Sequence, residues 1–236
     1  MSNKVREQAF RDISSVKLVR LGAYDETIDG RGYRYGLAGA ADLAKGKINV
    51  AAAHVANHVN LTLAVGADAG ASKVTVPLGA TAATANQYAD GQLVVNDGTA
   101  EGTSYLISGN PAAGSGATVV VNLEEPLEVA LTTASDVSLI ANPYSGVIVA
   151  PGAIAHRPVG VANVTITAAY YGWFQTQGDC AVLSDNVITK GAGAILSDAV
   201  AGALEIEVAA TVVKRVGFAP EATVDTEYRV ITLTLE

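Results

Sequence analysis

From residue 48 onward the chain switches between apolar and small polar residues at a period of two. The runs Asn60-Leu-Thr-Leu-Ala-Val65, Ser72-Lys-Val-Thr-Val-Pro-Leu78 and Asn163-Val-Thr-Ile-Thr167 show it most clearly. A period of two puts alternate side chains on opposite faces of a strand, so these runs predict half-buried β-strands. Strands are predicted at 59–65, 72–78, 92–96, 103–108, 117–123, 127–132, 136–141 and 146–149. A second set follows at 163–168, 171–176, 179–183, 194–196, 203–214 and 227–235. Gly, Asn, Asp and Pro separate them, for example Asp97-Gly98, Gly109-Asn110-Pro111 and Asn142-Pro143. Ala80 to Gln87 is read as a short helix or a wide connection. In Tyr228-Arg-Val-Ile-Thr-Leu-Thr-Leu235 the alternation puts Ile231 and Leu233 on one face and Val230, Thr232 and Thr234 on the other.

The spacing of strands and turns predicts an all-β chain of two small sandwich- or barrel-like domains, preceded by an extended N-terminal arm. Residues 1–47 form the arm, with Val5 to Leu21 as a short helix or extended segment. Asp29-Gly30 marks a turn between two Tyr-containing segments, which predicts a small hairpin. Residues 48–150 form the first β-domain, 151–158 a linker rich in Pro and Gly, and 159–236 the second β-domain.

Composition sharpens this picture. Half of the 236 residues are hydrophobic but only 6% are aromatic, so Ala and Val must supply thin, closely packed layers. The net charge of −8 is uneven: residues 1–47 hold nine Lys/Arg against six Asp/Glu, and the remainder six against seventeen. An acidic body argues against nucleic acid as a partner, because phosphate binding needs a basic face. A basic arm suits docking on an acidic neighbour, or is an ordinary polar terminus. The single Cys180 forms no internal disulfide and fits a reducing cytoplasm. No apolar stretch reaches membrane-spanning length, and the charged start shows no signal peptide, so no membrane partner is expected.

Reactive constellations are scarce. His54 and His58 have the i, i+4 spacing of a zinc helix, but Val55 stands where the general-base Glu belongs. A surface or interface pair is the simpler reading, and His156 has no evident partner. Cys180 follows Asp179, whose charge raises rather than lowers a thiol pKa, so it reads as a small buried side chain. Glu124-Glu125 point to opposite faces of a strand, whereas Glu205 and Glu207 share a face, most simply the solvated one. Phosphate-binding and nucleophile-elbow motifs are absent from the sequence. No catalytic residue, metal or cofactor is therefore expected.

Tyr170-Tyr-Gly-Trp-Phe-Gln-Thr-Gln-Gly-Asp-Cys-Ala-Val-Leu183 holds four of the thirteen aromatic residues, including the only Trp. Trp173 reads as the structural anchor of a small sheet, with Gly178-Asp179 turning into the next strand. An aromatic platform for a ligand is the alternative. After this segment come Val187-Ile-Thr-Lys-Gly-Ala-Gly-Ala-Ile-Leu196, Glu207-Val-Ala-Ala-Thr-Val-Val213, Val216-Gly-Phe-Ala219 and Arg229-Val-Ile-Thr-Leu233. This order resembles the small β-domain of tailed-bacteriophage capsid decoration (cement) proteins of the lambda head-decoration type. Tyr24-Asp-Glu-Thr-Ile-Asp-Gly30, Ala56-Asn-His-Val-Asn60 and Gln87 to Gly98 also resemble segments of tailed-phage structural proteins.

The resemblance implies a non-enzymatic virion protein on the outer capsid surface, present in the host cytoplasm during assembly. Its implied partners are the major capsid protein and other copies of itself, a trimer among them. Arg6, Arg11, Lys17, Arg20, Tyr24, Tyr33 and Tyr35 are the expected interaction residues of the arm. A tail, fibre or head–tail component and a carbohydrate- or host-binding β-module are the competing readings.

Overall fold

The first 52 residues do not stand apart from the body. In the computed structural model, which describes residues 7–153, 156–208 and 214–236, the chain divides into two units. One combines residues 1–52 with 143–236, and the other is the intervening stretch 53–142. The protein is all-β, and among the described residues the strand-to-strand ladders are antiparallel, with parallel geometry only at the isolated bridges Ala38–Val147 and Ser184–Leu204.

In chain order the strands are β1 (Tyr24–Glu26), β2 (Gly32–Leu37), β3 (Ile48–Val50), β4 (Leu61–Thr62), β5 (Lys73–Pro77), β6 (Gln92–Asp97), β7 (Ser104–Gly109) and β8 (Thr118–Leu123). They continue as β9 (Asp136–Ile140), β10 (Ile148–Val149), β11 (Pro158–Ala162), β12 (Tyr171–Leu183), β13 (Gly193–Leu196), β14 (Leu204–Ile206), β15 (Gly217–Phe218) and β16 (Tyr228–Thr234).

The 53–142 unit is a six-stranded sheet in the order β4-β9-β6-β7-β8-β5. Its end strands β4 and β5 approach each other, so the sheet nearly closes into a barrel. The period-two pattern decides its inside: Val74, Val76, Leu93, Val95, Ile107, Val119, Val121, Val137 and Leu139 are all buried in one core. Bulges between Val95 and Asp97 and between Ile107 and Gly109 break the registers of β6 and β7. Such bulges add the bending that closure requires.

The other unit is a ten-stranded sheet with the path β10-β3-β11-β12-β16-β15-β13-β14, to which β2 adds on β12 and β1 on β2. Its hub is β12, 13 residues long. The first half of β12 pairs with β2, Trp173 lying opposite Tyr35 and Gln175 opposite Tyr33. Its second half pairs with β16 from Gln177–Thr234 to Leu183–Tyr228. Buried Ile48, Val50, Val161, Val182, Ile231 and Leu233 join one core cluster, and Leu43, Val159, Ile166 and Phe174 another.

Several sequence expectations are corrected here. The predicted arm supplies β1 and β2, so it is part of the sheet. The predicted hairpin at Asp29-Gly30 is present, with Glu26 opposite Gly32. The predicted linker, residues 154–155 of which lie outside the described residues, ends inside β11 at Pro158, and all five residues of that strand are buried. Gly178-Asp179 is not a hairpin turn: the strand runs through it with Gly178 at φ +81° and a register shift between Gln175 and Gln177. A glycine in the left-handed region bends a bulged strand without reversing it.

The run 127–132 forms no strand. Leu127 and Leu131 are buried but bond the main chain of Ala71 and Ala67 instead of a sheet neighbour. Residues 163–168 likewise make only a bridge, Ile166 to Leu43. Ala80 to Gln87 holds turns and a bridge from Ala83 to Ala113 rather than a helix. Strand 203–214 is seen as Leu204–Ile206, and residues 209–213 of it lie outside the described residues.

Candidate functional site

Charge separates by unit. Residues 53–142 carry one Lys against eight Asp/Glu, whereas the other unit carries fourteen Lys/Arg against fifteen Asp/Glu. The acidity read over the whole body is therefore concentrated in the 53–142 unit.

The residues expected to make contacts along residues 1–47 fall into two classes. Arg11, Lys17 and Arg20 are exposed on the segment that leads to β1. Tyr24 is also exposed, and the Arg34 guanidinium lies over its ring, 5.4 Å from the centroid. Tyr33 and Tyr35, in contrast, are 1% and 2% exposed. They are core residues and are corrected as such, while Arg6 lies outside the described residues.

The reason is the register. Tyr33 and Tyr35 alternate with Arg34 on β2, so both face inward opposite Gln175 and Trp173. Phe10 stacks on Tyr33 at 4.2 Å between centroids and meets Trp173 edge-on at 5.2 Å. Tyr35 meets Trp173 at 5.2 Å and stacks with Tyr171 at 5.8 Å. Offset and edge-on pairs of this kind each add roughly 0.5–1.5 kcal/mol beyond burial. Trp173 is thus packed among aromatic neighbours rather than presented as an open platform.

The segment between Phe10 and β1 is laid across this cluster. Ser14 exchanges main-chain hydrogen bonds with Tyr171, and the Leu18 N–H donates to the Tyr35 hydroxyl at 3.1 Å. The segment still leaves Val16 and Leu18 64% and 70% exposed. Arg34, between Tyr33 and Tyr35 on β2, makes a bidentate pair to Glu236, Nε to Oε1 at 2.9 Å and Nη2 to Oε2 at 2.6 Å. Hydrogen bonding from that fork holds the Glu236 carboxyl below the usual range.

A second surface lies on the strands that carry the sequence resemblance. On β16, Tyr228 and Val230 point to the face opposite Ile231 and Leu233, and Phe218 of β15 sits beside Thr232 on that same face. Phe218, Tyr228 and Val230 are 40%, 52% and 46% exposed. Three large apolar side chains on one outward sheet face form an exposed apolar patch of the kind that marks an interaction surface. The alternation in β16 made this face readable; Phe218 was not, because β15 is only two residues long.

The remaining chemistry-bearing groups are placed as follows. His58 is fully buried in the 53–142 unit: its Nε2 lies 2.8 Å from the Thr81 carbonyl and its Nδ1 bonds the Tyr88 hydroxyl. It is a core residue, not the surface pair member expected, and His54 is exposed apart from it. Among the described residues no group of three or more His, Cys, Asp or Glu side chains converges as metal ligands would. Glu124 and Glu125 are exposed, and Glu207 pairs with Arg215.

Cys180 is buried, and burial pushes its thiol up to about 12. At pH 8 the native protein should therefore resist iodoacetamide at this position, since the thiolate is the nucleophile. Mass spectrometry should find less than about a tenth of the labelling rate seen after denaturation. Equal rates in both states would show the thiol to be exposed and ionised.

Comparison with family models, with curated proteins and with solved structures finds no match to this chain.

Proposed function

We propose that this protein is a structural component of a tailed-phage particle, a capsid decoration protein that binds the major capsid protein on the outer surface of the head and stabilises the shell. One observation carries the reading. The described segments whose order resembles the decoration β-domain fold together, as β12, β16, β15 and β13 of one sheet, and leave Phe218, Tyr228 and Val230 exposed on its outer face. A protein that holds neighbouring subunits together works through buried area and shape complementarity rather than reactive groups. Repetition over a shell makes weak single contacts additive. The exposed cations Arg11, Lys17 and Arg20 lie on the same chain unit.

Co-sedimentation with purified heads of the phage that encodes the chain tests the reading. The wild-type protein should bind saturably. Phe218→Glu combined with Val230→Glu should weaken binding at least about tenfold, as loss of central apolar anchors does. Both sites are exposed, so folding should survive, and native Trp173 fluorescence checks that it does. A wild-type protein that stays in the supernatant, or a double variant that binds unchanged, overturns the proposal.

A further inference from the structure

The sequence holds three Asp-Gly pairs, Asp29-Gly30, Asp90-Gly91 and Asp97-Gly98. Glycine has no Cβ to shield its amide nitrogen, so that nitrogen can reach the side-chain carbon Cγ of the preceding aspartate. Such an attack closes a five-membered ring. The fold treats the three pairs differently.

At Asp29 both reacting groups are committed. The carboxylate accepts from the Thr27 hydroxyl through Oδ1 and from Arg31 Nε through Oδ2 at 2.9 Å. The Thr27 hydrogen bond, ahead of Arg31, holds the carboxyl below its usual range. Hydrogen bonds of this kind keep the anion, whereas the neutral acid is the form that loses water. The Gly30 N–H is donated to the Thr27 carbonyl at 3.0 Å. At Asp90 the Gly91 N–H is donated to the Tyr88 carbonyl at 2.9 Å. Gly91 is buried, and a Cβ on it would strike the Ile140 carbonyl oxygen, so main chain encloses it closely. Neither nitrogen can turn toward its carboxyl without giving up a main-chain hydrogen bond.

Asp97-Gly98 is held otherwise. Asp97 is exposed at the end of β6, and Gly98 opens the turn to β7 with φ +82°. Among the described residues the Gly98 N–H has no main-chain acceptor; it donates to Asp97 Oδ1 at 2.7 Å. The folded chain therefore keeps the amide nitrogen against the carboxyl it would attack, which is the condition for an intramolecular reaction to run ahead.

We propose that Asp97-Gly98 is a site of spontaneous isoaspartate formation. The Gly98 nitrogen bonds to Asp97 Cγ, the Cγ–OH bond breaks, and the amide proton and the hydroxyl leave as water. The product is a succinimide, to which water adds back. Opening at Cγ restores aspartate. Opening at the main-chain carbonyl leaves the chain running through Cβ and Cγ of residue 97, one carbon longer. The overall change is an isomerisation and needs no oxidant or reductant. The altered residue lies opposite Asp136, beside the bulge between Val95 and Asp97 in the β6–β9 ladder. It belongs to the 53–142 unit, so it stands or falls apart from the surface assigned to particle attachment.

The test incubates the full-length protein at physiological temperature in mildly acidic buffer made with heavy-oxygen water. Electron-transfer fragmentation of its peptides tells isoaspartate from aspartate and locates the oxygen taken up. Isoaspartate at position 97 should exceed that at 29 and 90 by about tenfold or more, because only there are the reacting groups already together. In urea the three pairs should convert alike, since only their shared local sequence remains. Asp97→Asn should convert faster, because ammonia leaves without a protonated carboxyl. Isoaspartate arising as fast at 29 or 90 as at 97 in the folded protein, none at 97 by the time the urea sample has converted, or an Asp97→Asn protein that keeps its amide would each overturn the proposal.

Discussion

Deleting residues 1–47 abolishes folding of the unit completed by 143–236. Unlike a detachable arm, this stretch contains Phe10, Tyr33, Tyr35 and Leu43, all at most 2% exposed. It also contains β2, which lines the first half of β12 from Tyr171 to Gln177. Losing one buried Phe or large aliphatic residue costs about 3–5 kcal/mol, and a whole domain is stable by only about 5–15 kcal/mol. Four such losses together with an unpaired, apolar strand edge exceed that margin. The only Trp lies in this unit, so Trp173 emission reports its state without interference from residues 53–142. The truncated protein should show the red-shifted emission of an exposed indole and no cooperative transition by that probe. A native-like spectrum with an intact melt would mean that residues 1–47 are dispensable to the fold.

The second large effect is the reverse: removing 53–142 should leave the rest folded. Chain geometry supports this. The insertion departs after β3 and returns before β10, and these two strands pair directly, Val50 opposite Ile148. Paired residues of antiparallel strands lie about 5 Å apart, so a link of a few Gly and Ser residues can replace the insertion. The excised 53–142 has its own core, from Leu63 to Leu139, and enough length to bury it. Expressed separately, the two pieces should each melt cooperatively, and the excision protein should keep native Trp173 emission. An excision protein without a cooperative transition, or an unfolded 53–142 fragment, would show that the two units depend on each other for folding.

What the sequence disclosed follows from where alternation survives. In the 53–142 unit, strands that face solvent on one side kept the period of two, and five of its six lie close to their expected bounds. β11 was hidden because a strand buried on both faces has no alternation, and its first residue, Pro158, resembles linker punctuation. Gly178 gave a true signal of positive φ that sequence alone could not divide between a turn and a bulge. The discontinuous unit was illegible because nothing local announces that β2 will pair with a strand more than a hundred residues later.

The candidate surfaces were only partly readable. Tyr33 and Tyr35 were expected at an interface because of their type and their basic neighbours, yet the pairing of β2 with β12 turns them inward. His58 was expected outside and is held in the core by Tyr88 and Thr81.

The proposed role depends most directly on stoichiometry. Quantitative mass spectrometry of purified particles, with the major shell protein as internal reference, gives the number of copies of this chain per particle. A decoration protein repeated over the head predicts a number on the order of hundreds, in near-constant ratio to the shell subunits. A few to dozens of copies, or none, would contradict it.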